Sequence, residues 1–169
     1  MPELWDAYLP DGRKAGKTIA RGEPIPAGLF HIVSDVLVKH TDGDYLLMQR
    51  DYRKAGYPGL FEAGASGAIL AGETPYEGAM RELIEETGIR ADQLTFLFAA
   101  SDLQCTLYFS YLCVTDCDKQ NITLQEGETI SFRWLSEEAF FRFIQSPEFA
   151  QGPRERWQPY LKTVAAFRG

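Results

Sequence analysis

Three glutamates, Glu82, Glu85 and Glu86, crowd into the segment RELIEETG. At i, i+3 and i+4 they share one side of a helix, where each like-charge pair costs about 0.2–0.5 kcal/mol. Glu85 and Glu86 also fall in the last turn, where the helix dipole favours cations. A helix selected for stability alone would carry Lys or Arg there. Carboxylates clustered against both effects make chemical sense as ligands for a hard divalent cation. Mg2+ and Mn2+ take oxygen donors and keep room in their shell for water and phosphate oxygens. A solvated face with no role is the competing reading.

The helix that must carry these acids runs Thr74–Thr87. Thr74 suits the N-cap, Pro75 the first helical position, Glu77 a capping box and Gly88 the C′ position. On a 3.6-residue wheel, Tyr76, Met80, Leu83, Ile84 and Thr87 predict the core face. The acids then lie opposite, with small Gly78 and Ala79 leaving room above them. Gly67 and Gly72 flank a short loop before the helix, Glu73 stands just ahead of the cap, and Arg81 could hold the carboxylate of Glu82 in place.

Gly67, five residues, Glu73, seven residues, then Arg81-Glu82-Leu83-x-Glu85-Glu86-x-Gly88-Ile89 resembles the Nudix box at every defined position. The resemblance implies a MutT-like Nudix fold, an α/β/α sandwich with a mixed β-sheet between helices. It also implies a metal-dependent hydrolase (diphosphatase or pyrophosphohydrolase) acting on a nucleoside diphosphate derivative or related small-molecule diphosphate. By the same resemblance Glu82, Glu85 and Glu86 are metal ligands for Mg2+ or Mn2+, Arg81 orients Glu82, and Glu73 supports the loop–helix geometry or the metal shell. Gly67 and Gly88 are backbone necessities. Water, activated by metal or base, attacks phosphorus.

A second acidic pair, Glu126 and Glu128, lies in QEGETISFRW. It reads as a polar loop or, as in many family members, as the source of a further metal ligand or general base. Glu128, six residues before Trp134, suits that role best and Glu126 next.

The stretches WDAYLPDG, GKTIARGE, GLFHIV, LLMQR and YPGLFE are similar to Nudix proteins of the isopentenyl-diphosphate isomerase type. That enzyme uses a cysteine, and a metal-binding histidine two residues later, where this chain has Ser66 and Ala68. The box here is also intact, so the hydrolase reading stands above the isomerase alternative. A non-catalytic nucleotide or metabolite sensor is a further alternative. His31 reads first as a hydrogen-bonded structural histidine. Arg50 and Arg53 could meet phosphate or form a solvated loop face. Gln104, Tyr108 and the Phe140–Phe143 run receive no role, because aromatics at such spacing are usually core.

Patterning elsewhere supplies the scaffold. HIVSDVLVKH, YLLMQR, LTFLFAA, TLYFSYLCV and TISFRWL predict strands. Ser136 caps a helix through about Gln145, and 153–167 predicts a closing helix. Strands mixed with helices predict an α/β domain. Residues 1–169 fit a single domain, with 1–28 forming an N-terminal β-hairpin turned at Asp11–Gly12. The hairpin leaves a homodimer open.

The composition is that of a globular protein, 45% hydrophobic and 24% charged. A net charge of −7 argues against an extended nucleic-acid or anionic-membrane surface. It does not exclude a small anionic ligand, since a divalent cation reverses the local sign. Cys105, Cys113 and Cys117, an odd set without a CxxC, predict buried thiols in a reducing cytoplasm.

Overall fold

The computed structural model describes residues 1–167. Its strands are β1 (Leu4–Tyr8), β2 (Lys14–Ala20), β3 (His31–His40), β4 (Tyr45–Arg50), β5 (Phe61–Ala63), β6 (Ala65–Ala68), β7 (Thr95–Ser101), β8 (Thr106–Thr115) and β9 (Thr129–Leu135). Its helices are α1 (Pro75–Thr87), α2 (Glu137–Phe143) and α3 (Gln151–Ala166).

The β3 sequence is apolar on both faces, and the reason is visible in the packing. Val36 and Val38 face one core with Leu46, Met48, Ala79 and Leu83, under α1. Leu37 faces the other, with Tyr45, Leu47, Phe140, Trp157 and Leu161, under α2 and α3. Alternate residues of each strand therefore serve opposite cores, and the result is an α/β/α sandwich around a mixed sheet. β3 runs parallel to β8 from His31↔Thr106 to His40↔Thr115.

The β3–β4 hairpin splays, touching only at Lys39↔Tyr45. The chain between its arms fills the gap. β5 pairs with β4, Gly64 turns, and β6 pairs with β3 through Val33↔Ala68 to Val36↔Ala65. Gly64 makes the turn with φ 60°, and a Cβ there would lie 1.9 Å from the Val36 carbonyl oxygen. Sequence patterning does not announce β5 or β6, because FEA and ASGA are too short and too small-residued to show alternation.

Local signals set the helix ends. Thr74 Oγ1 accepts from the Glu77 N–H at 3.2 Å and Glu77 Oε2 accepts from the Thr74 N–H at 2.8 Å, a capping box worth about 1 kcal/mol. Gly88, left-handed at φ 75°, closes α1. Ser136 caps α2. α3 is tied across the sheet by Arg156, whose Nε and Nη2 donate to Asp35 at 2.7 and 3.0 Å. Helix α3 begins at Gln151, two residues ahead of the sequence expectation, after Ala150, which offers no side-chain cap. Of the cysteines only Cys113 is fully buried, its thiol pushed up to about 11 by desolvation; Cys105 and Cys117 are half-buried.

Candidate functional site

Helix α1 turns a mixed face inward. Leu83 and Ala79 are buried, as an apolar stripe requires, but so are Glu82 (9% exposed) and Glu86 (5%), while Tyr76 stands 38% exposed. The expectation that all three acids point away from the core is corrected: only Glu85 does so. The cause lies in β6. Gly67 has no Cβ, and one placed there would sit 2.1 Å from Glu82 Cδ, so the missing side chain is the slot that the carboxylate fills. One strand residue earlier, the Ser66 N–H donates to Glu86 Oε2 at 3.1 Å. Gly78 and Ala79 do not leave room above the acids either. Both are buried, and a Cβ on Gly78 would meet Ile69 Cγ2 at 2.4 Å. Smallness there lets the helix press onto the sheet.

Arg81 organises the acids. Its Nε and Nη2 donate to the two oxygens of Glu73 at 2.7 and 3.0 Å. Its Nη1 donates to Glu82 at 2.6 Å and to Glu85 at 3.2 Å, and Nη2 also reaches the Ala68 carbonyl oxygen at 3.1 Å. Glu73 accepts the Leu70 N–H as well, at 2.8 Å. The Arg81 guanidinium holds the Glu73 carboxyl below the usual carboxylate range. Glu82 is raised, chiefly by desolvation, against the pull of Arg81. Glu86 is raised well above the ordinary value, by burial first and by the charges of Glu62 and Glu82 next. Among the described residues it has no cationic partner.

These groups form one wall of an open cleft of about 250 Å³. Ser66, Gly67 and Ala68 are its floor. Gln125 and Glu128, from the turn before β9, also line it, as does Lys54, which is ion-paired to Glu128. Glu3, Trp5 and Arg21 of the N-terminal hairpin close the remaining side. The donors are carboxylate oxygens, which suit a hard divalent cation. Among the described residues no three carboxylate, histidine or cysteine side chains already converge as a bound ion would require. Arg81, Lys54 and the Ser66 N–H instead hold the glutamate oxygens.

A family model described as NUDIX domain matches residues 29–157. The chain belongs to the Nudix hydrolase family. It is 30% identical over 153 residues to an uncharacterized Nudix hydrolase of Listeria monocytogenes, lmo0368, covering 87% of this chain and 88% of that one. It is 26% identical to an isopentenyl-diphosphate Delta-isomerase of Corynebacterium diphtheriae, over 73% of each chain. Among solved structures, DR0079 of Deinococcus radiodurans superposes with a TM-score of 0.71 at 22% identity, over 88% of this chain and 93% of that one. A bifunctional NMN adenylyltransferase/ADP ribose pyrophosphatase of Francisella tularensis, complexed with AMP and a Mn ion, superposes with a TM-score of 0.61 at 18% identity, over 85% of this chain and 43% of that one. These two likenesses speak to the fold.

Not every residue singled out from the sequence reaches the Nudix cleft. Glu126 is exposed, and its charge acts on Arg53. Arg53 itself is forked onto Asp51, with Nε at 3.0 Å and Nη2 at 2.7 Å. Arg50 turns inward to buried Glu62 at 2.6 Å and to the Gly56 carbonyl oxygen at 2.8 Å. The loop cation that does line the cleft is Lys54. Sequence reasoning missed it, and missed Glu3 and Trp5, because nothing local distinguishes Lys54 from its arginine neighbours. His31 bonds to Thr106 Oγ1 at 3.2 Å and stacks on Trp5, a structural histidine lowered by burial. Phe140 lies in the core, whereas Gln104 and Tyr108 line a second cavity.

Proposed function

We propose that this Nudix enzyme hydrolyses the diphosphate linkage of a nucleoside diphosphate derivative or related small-molecule diphosphate, with Mg2+ or Mn2+ as cofactor. The observation that carries the reading is the gathering of Glu82, Glu85 and Glu86 on α1 with Glu128 around one cleft, where Arg81 and Lys54 pair with the acids. Glu86 supports the cation most directly: a buried carboxylate with one N–H partner and repelling neighbours is relieved by a bound dication. Glu82, Glu85 and Glu86 would hold the ion. When bound it would neutralise phosphate charge and stabilise the leaving oxygen.

The chain's own residues do the rest. Arg81 keeps Glu82 turned into the cleft, and Glu73 keeps Arg81 in place. Glu128, which lines the same cleft, would take the proton of the attacking water. Lys54, on Glu128 in the free protein, is the cation best placed to meet substrate phosphate. No described helix is long and apolar enough to cross a membrane, and three free thiols suit a reducing cytoplasm. The test is release of phosphate, pyrophosphate or monophosphate from a panel of diphosphates. Turnover with Mg2+ that EDTA abolishes is expected; tight binding with no turnover under any divalent metal would give the protein to the sensor reading.

Likeness to an isomerase favours one second reading, a double-bond shift on an isoprenoid diphosphate. Against it, the position expected to hold cysteine is Ser66, whose hydroxyl donates to Asp35 at 2.8 Å. Ala68 brings no metal-binding side chain.

A further inference from the structure

The matched family segment begins at residue 29, yet Glu3, Trp5 and Arg21 line the cleft. The hairpin that carries them is docked at both ends. Tyr8 and Phe30 exchange backbone hydrogen bonds at 2.8 and 2.9 Å. At the other end the Ala71 N–H donates to the Leu4 carbonyl oxygen at 2.7 Å, and the Gly72 N–H donates to Asp6 at 2.9 Å. Tyr8 joins Phe30, Ile32, Ile69 and Leu107 in a core cluster of its own. The hairpin is thus bolted to the loop that leads into α1, and what it shows the cleft is held in place.

It shows the cleft an indole. Trp5 is half-buried. One face is covered by the His31 imidazole, with centroids 4.6 Å apart and planes 24° apart. The indole N–H is out of water and has no acceptor among the described residues. That donor is costly to bury alone, so the indole is not held there by its own hydrogen bonding. At the rim, Arg21 pairs with Glu3 at 2.8 Å with both side chains about half exposed, so its guanidinium is accessible to an incoming anion.

We propose that Trp5 is a specificity-determining residue that receives the planar ring of a nucleoside diphosphate by stacking while the diphosphate lies at the α1 carboxylates. The inference rests on the hydrolase reading above and names its substrate class. Apart from Trp5, the cleft wall is glycine, alanine and polar or charged side chains, which offers no apolar channel to an alkyl diphosphate. At about 250 Å³ the cleft falls below the roughly 300–1,000 Å³ of a pocket that encloses its ligand. A nucleotide therefore projects out of it, past the hairpin.

Binding is measured apart from turnover, with Mg2+ and adenosine 5′-(α,β-methylene)diphosphate, by tryptophan fluorescence and calorimetry. Methylenediphosphonate, which has the bridge and no ring, is the second ligand. Trp5→Ala is expected to weaken the nucleotide about tenfold, the range of one base–aromatic stack, and to weaken methylenediphosphonate several-fold less. Trp5→Phe keeps a ring, so it retains most affinity and loses the fluorescence change; it also serves where the alanine variant fails to fold. Three results overturn the proposal: a fluorescence change that survives Trp5→Phe, an equal loss for both ligands in Trp5→Ala, or no nucleotide binding by the intact chain. A protein that binds as expected but does not turn over fails only the hydrolase reading.

Discussion

Gly67 lies against the carboxylate of Glu82 so closely that a Cβ would stand 2.1 Å from Glu82 Cδ. Gly67→Ala therefore evicts a candidate ligand without straining the backbone, since Gly67 is not among the glycines with positive φ. Turnover is expected to fall at least about tenfold, with thermal stability within about 1 kcal/mol of the parent. Gly64→Ala is the contrast: its Cβ meets the Val36 carbonyl at 1.9 Å in a left-handed conformation. It should cost more than about 2 kcal/mol of stability. Chemical denaturation beside a steady-state assay separates the two.

Glu86→Gln should be inactive and, without metal, more stable. Burial raises the Glu86 carboxyl well above the ordinary carboxylate range. The unfolded chain thus loses this proton first, and the group erodes stability as pH climbs from the unfolded value toward the folded one. Glutamine removes that cost and can still accept the Ser66 N–H. In EDTA at neutral pH its Tm should rise by a few degrees, at about 2–4 °C per kcal/mol for a domain of this size. Mg2+ should raise the Tm of the parent and not of the variant. A variant that melts lower than the parent in EDTA would contradict the burial argument. Turnover by Glu86→Gln or Glu85→Gln should drop by orders of magnitude, and near-normal rates in both would sink the metal assignment.

Arg81→Lys keeps the charge and loses the fork. Three nitrogens now serve Glu73, Glu82, Glu85 and the Ala68 carbonyl, and one ammonium cannot span them. A fall in kcat of at least about tenfold, with a higher Mg2+ concentration needed for half-maximal rate, is expected from a metal titration of the rate. An unchanged titration would remove Arg81 from the positioning role.

Asp6 anchors the hairpin through Lys14 and the Gly72 N–H, which together hold its carboxyl below 3.8. A depressed carboxyl contributes stability above its unfolded value and loses it as pH falls through the folded one. The Tm gap between the parent and Asp6→Asn should be full above about pH 5 and should narrow below about pH 3.8. Melting curves across that range decide it; a constant gap would mean that the ion pair contributes nothing.

The legible parts of the molecule were those settled within a few residues. Thr74, Pro75, Glu77 and Gly88 announce both ends of α1, because caps and left-handed closures are local geometry. The ranges of β3, β4 and β9 follow from runs long enough to show their pattern. The wheel for α1 misled where it assumed that a buried face is an apolar one. Glu82 and Glu86 are buried because Gly67 and the Ser66 N–H, in a strand with no sequence signature of its own, accept them.

The sequence by itself determined the family, the acidic helix and its caps, because spacing along one helix is a short-range property. The sequence also ranked Glu128 ahead of Glu126, and only the tertiary structure decided that Lys54 rather than Arg50 or Arg53 lines the cleft with it and that Trp5 does so too. Those choices depend on where a splayed hairpin, the β5–β6 segment between its arms and a docked N-terminal hairpin meet. Contacts between segments so far apart in the chain leave no local pattern to read.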